Sequence, residues 1–133
     1  MQELAVLICF EDLFPELART MVKQGATLLV NISNDGWYAD TSVPYQHVDF
    51  SRYRAIENRR AVARATNTGI TTFISPTGEI NVTAPMRQPA TLVANVPVGG
   101  PLTFYTRFGD VFAWICVGLL MGLFGYAIFR NRP

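Results

Sequence analysis

Cys9, Phe10, Glu11 and Asp12 stand in the run VLICFEDLFPE, Val6 to Glu16, where a thiol closes an apolar stretch and acids follow at once. The chemistry open to these residue types is attack by a thiolate, with a carboxylate beside it to hold or move a proton. Only the thiolate is reactive, and negative charge next to a cysteine disfavours it. Cys9 is therefore either an inert core residue or a nucleophile whose counter-charge comes from elsewhere in the fold.

The surrounding elements favour a site. Glu3 to Cys9 reads as a buried strand. Phe14 to Gln24 reads as a helix, with Pro15 in its first turn, Glu16 near its N-terminus, Lys23 near its C-terminus and Gly25 to close it. Thr27 to Asn31 reads as a second buried strand. A strand, a helix and a strand in so short a span predict a βαβ unit with parallel strands. Sites of such sheets gather at the carboxyl ends of the strands, where Cys9 and Asn31 both fall.

Ser33 to Pro44, SNDGWYADTSVP, is a loop dense in turn formers that leaves the same end of the sheet. Its Trp37 and Tyr38 either contact substrate, as part of a lid, or fold back to fill a local core. Tyr45 to Ala65 carries a helical pattern whose five arginines, Arg52, Arg54, Arg59, Arg60 and Arg64, predict a solvated or subunit-facing surface. Glu57 on that stretch is expected to brace backbone or arginine. Ile70 to Ser75, a Pro76-Thr77-Gly78 turn and Glu79 to Val82 predict a hairpin. Pro85 to Pro101 reads as an irregular strand and a linker.

The chain has 133 residues, 50% of them hydrophobic and 16% charged, with a net charge of +1. This balance excludes a disordered chain and gives no basic stripe for nucleic acid. Two cysteines, Cys9 and Cys116, and one histidine, His47, supply neither a disulfide framework nor a metal-ligand set, so no metal is expected.

The apolar residues are concentrated at one end. Val111 to Phe129 holds no charged residue and, as a helix, is roughly 28 Å long, about one hydrocarbon thickness. Trp114 and Tyr126 lie near its two ends, as interfacial aromatics do. Arg130 and Arg132 follow it and predict a cytoplasmic C-terminus, with the preceding domain on the other side, although Arg107 flanks the opposite end. Cys116 within the span reads as a small apolar filler. Gly118 to Gly122, GLLMG, is a pattern that permits close helix packing. The N-terminus lacks a basic region and a cleavage site, so the chain is expected to be the C-terminal piece of something longer or a separately made fragment.

ICFEDLFPE, NISNDGWYADTSVPYQH and RAIENRRAVARATNTGITTFISPTGEI together resemble the nitrilase, or carbon-nitrogen hydrolase, superfamily, and within it the C-terminal end of the apolipoprotein N-acyltransferases. The resemblance covers nearly the whole chain. It implies an α/β fold, part of a four-layer αββα sandwich, followed by one transmembrane helix. The implied organisation is residues 1–98 as part of the hydrolase-like domain, 99–110 as a linker, 111–129 as the membrane helix and 130–133 as a cytoplasmic tail.

Members use a Glu-Lys-Cys triad and no cofactor. The resemblance places the nucleophile at Cys9, an oxyanion donor at the Phe10 backbone N–H, and a supporting acid at Glu11. Phe10 stands where these enzymes often carry tyrosine, so no hydroxyl role transfers. The only lysine, Lys23, lies about 14 Å along its helix from the active end, and Glu3 is about 20 Å back along its strand. Neither can complete the triad, so the isolated chain is expected to be inactive and to rely on a missing N-terminal part.

Three functions follow. The first is transfer of a phospholipid acyl chain through a Cys9 thioester to the N-terminal amine of a diacylglyceryl lipoprotein, with the globular part outside the bacterial inner membrane. The second is an amidase or nitrilase of the same superfamily. The third is a non-catalytic fragment or partner subunit.

Overall fold

The computed structural model describes residues 3–38 and 41–130. Met1, Gln2, Ala39, Asp40 and most of the expected tail, with Arg132, lie outside the described residues.

The expected βαβ unit is present. Strand β1 spans Leu4–Ile8, helix α1 Pro15–Lys23 and strand β2 Leu28–Ser33. Pro15 occupies the first turn of α1, where its missing N–H is not needed. Gly25, at a φ of 117°, lets the chain reverse into β2. Strands β1 and β2 pair in parallel, with Leu7 opposite Asn31 and Ile8 opposite Ile32.

Helix α2 spans Val43–Asn58, and the chain then leaves helical geometry. The expectation of a helix as far as Ala65 is corrected here. Arg59 adopts the left-handed conformation (φ 50°) and ends the helix, and Val62–Thr66 forms strand β3, parallel to β2. Arginine-rich sequence suits a helix by propensity, but Val62 and Thr66 are β-branched, and a parallel pairing with β2 overrides the local preference.

Strands β4 (Thr72–Ile74) and β5 (Ile80–Thr83) form the expected antiparallel hairpin and complete a five-stranded sheet in the order β1-β2-β3-β4-β5. No strand is assigned between Thr83 and Phe104, so the irregular strand expected after Pro85 is absent among the described residues.

Helices α1 and α2 pack on one face of this sheet, around Leu7, Val22, Leu29, Val62 and Ile74. The other face is open. Leu4 (62% exposed), Ile8 (62%) and Ile32 (52%) point out of it, so β1 is buried on one side only, contrary to expectation. The chain thus supplies one helix layer and one sheet. A continuous apolar run announces cover on both faces; the second cover does not come from the described residues.

Residues 99–110 include a short helix, α3 (Phe104–Phe108), docked on α1 and α2. Thr103 caps it by accepting from the Thr106 N–H and donates its own hydroxyl to the Glu57 carbonyl at 2.6 Å. Arg19 Nε donates to the Tyr105 carbonyl at 3.0 Å, and Gly109, at a φ of 73°, packs against the Arg19 guanidinium. Helix α4, Val111–Arg130, follows with a mean hydropathy of 2.2 and none of its residues buried. It is long and apolar enough to cross a membrane, and it is not a core helix of this chain.

Candidate active site

Backbone geometry singles out Cys9. Strand β1 stops at Ile8, and Cys9 opens a 3-10 turn, Cys9–Leu13, at a φ of 53°. A left-handed conformation is unusual for a residue with a side chain and persists only where its surroundings hold it. Three things hold it here. The Glu11 carboxylate accepts the Ile8 N–H at 2.7 Å and closes the turn. Asn31 Nδ2 donates to the Cys9 carbonyl at 3.0 Å, and His47 Nε2 lies 3.2 Å from the same oxygen. The thiol is half-buried, 3.7 Å from the Ser33 hydroxyl.

Beneath the turn lies a sealed polar cluster. Sheet register sets a row across the strands, Leu7 opposite Asn31 and Asn31 opposite Arg64, all facing the helices. Arg64 Nη1 donates to Asp12 Oδ2 at 3.1 Å and to Asn31 Oδ1 at 2.7 Å, while Nη2 donates to Asp35 Oδ2 at 3.0 Å. From α2, His47 and Ser51 sit one turn apart and both reach Asp12. His47 Nδ1 lies 3.2 Å from Asp35, and Ser33 donates to Asp35 at 2.6 Å. Two carboxylates thus face His47 and Arg64 in a hydrogen-bonded cluster, as buried charge requires, with Arg64 Nε left without a partner.

Charge follows from this packing. Burial alone would lower the His47 pKa, but hydrogen bonds to Asp12 and Asp35 hold it up at about 9. Burial would raise the Asp35 pKa, yet the His47 and Ser33 hydrogen bonds and the Arg64 charge keep it at about 2. At neutral pH His47 is thus an imidazolium and Asp35 a carboxylate. Two aromatics lie to one side of the cluster. Phe10 stacks on His47 (centroids 5.1 Å apart, planes at 16°), and Tyr38 meets Phe10 edge-on at 5.8 Å.

Cys9 thus stands on a sharp turn at the carboxyl end of the parallel part of the sheet, a position from which a thiol can be presented for covalent chemistry. Residues 2–100 match the sequence model of the carbon-nitrogen hydrolases. The chain belongs to the carbon-nitrogen hydrolase family.

Relatives of this carbon-nitrogen hydrolase chain include the apolipoprotein N-acyltransferase of Geobacter metallireducens, 49% identical over 114 residues, or 86% of this chain and 22% of that protein. The apolipoprotein N-acyltransferase of Chlorobaculum tepidum is 40% identical over 129 residues, 97% of this chain and 24% of that protein. The chain therefore spans between a fifth and a quarter of these relatives. Among solved structures, an amidase from Nesterenkonia superposes with a TM-score of 0.54 at 25% identity, covering 67% of this chain and 35% of the amidase. A carbon-nitrogen hydrolase from Helicobacter pylori, at 19% identity, shares the fold with a TM-score of 0.59 over 66% of this chain and 38% of its own.

Within the carbon-nitrogen hydrolase fold, the residues singled out from sequence separate into groups. Cys9, Phe10 and Glu11 share one turn. Tyr38 joins them through Phe10. Trp37 is 84% exposed and fills no core among the described residues. Glu57 braces Arg54 at 2.9 Å, as expected.

Asp35, His47, Ser51 and Arg64 are not site residues by the sequence reading, and Asp12 enters it only as an acid beside Cys9. The solvated arginine face is corrected: Arg54, Arg60 and Arg64 are buried, and Arg64 is the largest of the fully buried side chains. The available signal was the alternation in VARAT, where Arg64 takes an inward position between Val62 and Thr66 once the segment is read as a strand. His47, weighed only as a metal ligand, had its two carboxylates far away in sequence.

Proposed function

We propose that this chain carries the nucleophile of an apolipoprotein N-acyltransferase. The observation that carries the reading is the braced, left-handed Cys9 at the end of β1, in a chain 49% identical over 114 residues to a protein of that name.

In the first half-reaction, Cys9 Sγ attacks the ester carbonyl of a phospholipid acyl chain. The Phe10 backbone N–H meets the oxyanion as it forms. The C–O bond breaks, the lysophospholipid leaves with the proton, and a thioester remains. In the second, the α-amine of a diacylglyceryl lipoprotein's N-terminal cysteine attacks the thioester. The C–S bond breaks, an amide forms, and the amine proton goes to a general base. No cofactor enters either step.

The base and a lysine are supplied, in this reading, by further polypeptide that sits on the open face of the sheet. The support is an account of the chain's own groups. Glu11 is engaged with the Ile8 N–H, Glu16 with Arg19 and Glu57 with Arg54. Glu3 and Lys23 lie at the opposite ends of β1 and α1 from Cys9. With no uncommitted glutamate or lysine beside Cys9 among the described residues, residues 1–133 alone are expected to turn over no substrate.

Helix α4 anchors the site to the lipid in which both substrates dissolve. Arg130 marks the cytoplasmic end, and the sheet lies outside the inner membrane. Trp37 reaches toward the acyl chain.

The test is Cys9→Ala in the full gene product purified from membranes and supplied with labelled phospholipid and a diacylglyceryl peptide. Loss of peptide acylation supports the reading. Ammonia release from simple amides without acyl transfer would instead favour the amidase chemistry of the Nesterenkonia relative.

A further inference from the structure

We infer that α3 lies in the lipid headgroup layer, with Phe104 and Phe108 pressed into the bilayer surface, so that the domain rests on the membrane through this helix as well as being tethered by α4. This inference rests on the reading of α4 as a membrane span and makes no use of the acyl-transfer chemistry.

Phe104 and Phe108 stand one turn apart on α3, with ring centroids 4.8 Å apart, and they are 66% and 60% exposed. The other side of the helix is taken up by the domain. Thr106 is buried, its hydroxyl donating to Asn58 Oδ1 at 3.0 Å and its N–H to the Thr103 hydroxyl at 2.9 Å. Arg19 Nε holds the Tyr105 carbonyl, and the Arg19 guanidinium packs against Gly109, where a Cβ would stand 3.1 Å from Cζ. Rolling α3 to bury its two rings would break these bonds to α1 and α2. The rings therefore stay outward, and their cover must come from outside the described residues.

Position in the chain names that cover. Only Gly109 and Asp110 separate α3 from α4, a reach of at most about 7 Å. The 20 residues of α4 make a helix about 30 Å long, which crossing the hydrocarbon uses almost entirely. Its first turn thus sits at the edge of the hydrocarbon and α3 lies just beyond, at headgroup level. Aromatic side chains favour that layer. Phe112 and Trp114, at the start of α4, are exposed too and carry the apolar surface on into the span. Arg107, exposed between the two phenylalanines, supplies the cation that lipid phosphates attract. Because α3 is bonded to α1 and α2, lipid contact here sets the angle of the helix layer to the bilayer, and the domain does not swing on a tether.

The test places p-benzoylphenylalanine, a photoreactive residue close in shape to phenylalanine, at position 104 or 108 of the full gene product in its native membrane. Reference probes at Leu119 and Met121, on opposite faces of α4, read the span separately. After irradiation and digestion, mass spectrometry shows what each probe-bearing peptide has gained.

The expected result is a gain of one phospholipid at both 104 and 108 and at one or both references. A cross-link from 104 or 108 to another peptide, of the same molecule or of a second copy, overturns the inference and assigns this face to a protein contact. No adduct at 104 and 108 while the references react places the rings in water and overturns it as well. Lipid adducts missing from both references would overturn the reading of α4 as a span, and the inference with it. Acyl transfer is assayed separately and bears on the acyltransferase reading alone.

Discussion

Arg64 and Asp12 are 52 positions apart in the chain and 3.1 Å apart in the fold, with neither side chain reached by solvent. One comes from the third strand and the other from the turn that bears the candidate nucleophile. The ion pair therefore joins the middle of the sheet to Cys9.

Removing one partner strands the other in a dry interior. Asp12→Ala or Arg64→Ala should each destabilise the chain by roughly 3–5 kcal/mol. Replacing both with apolar residues of similar size should cost less than the sum of the two. Urea or thermal unfolding of the four proteins in a double-mutant cycle measures this. Additive losses would contradict a coupled pair.

Gly69 makes room for the same cluster. A Cβ there would overlap the Asp35 carboxylate. Gly69→Ala should push Asp35 off His47 and Arg64 and cost about 1–3 kcal/mol, the usual penalty of overpacking. Gly122→Ala on α4, where nothing lies within 4 Å, serves as the control and should leave the melting temperature of the solubilised chain unchanged.

The perturbed groups define a pH window. His47, raised from 6.5 to about 9, contributes stability that is complete below about pH 6.5 and lost as pH rises through 9. Asp35, lowered from 3.8 to about 2, contributes stability that is present above about pH 4 and lost as pH falls through 2. Thermal melts should be highest between about pH 4 and 6.5 and decline on both sides. The alkaline decline should vanish in His47→Gln. A melting temperature that climbs from pH 6.5 to 9 in the wild type would contradict the ring's placement between two carboxylates.

The two loop aromatics should part company. Trp37→Ala removes a side chain that is 84% exposed and should change stability by no more than about 0.5 kcal/mol. Tyr38→Ala removes the edge contact to Phe10 and should cost about 0.5–1.5 kcal/mol. If Trp37 serves the acyl chain, its loss should nevertheless lower acyl transfer several-fold. Equal losses of stability and activity in Trp37→Ala would assign it to packing.

Much of the first half of the fold was legible in the sequence because its signals are local. Pro15 and Gly25 bound α1, and apolar runs on either side of it give β1 and β2. The Pro76-Thr77-Gly78 turn marks the hairpin. What was not legible depends on distance. The helix was extended through Arg59 because nothing nearby forbids it, and the pairing with β2 that makes 62–66 a strand is not written in those residues. Misreading that strand hid Arg64, whose inward position exists only in the sheet register. His47 was hidden differently, since its partners Asp12 and Asp35 come from two other turns. The open face of β1 and β2 was also unreadable, because an apolar run states that cover exists and not what provides it.

The central claim is that Cys9 carries the acyl group. The most direct test is the mass of the Cys9-bearing peptide after the protein is purified from its native membrane and digested at mildly acidic pH. The account predicts a fraction of this peptide heavier by one fatty acyl chain, cleared by hydroxylamine and by a diacylglyceryl-cysteine peptide, with no such adduct on any peptide of Cys9→Ala. An acyl adduct that persists elsewhere in Cys9→Ala and is still transferred to the acceptor would contradict it.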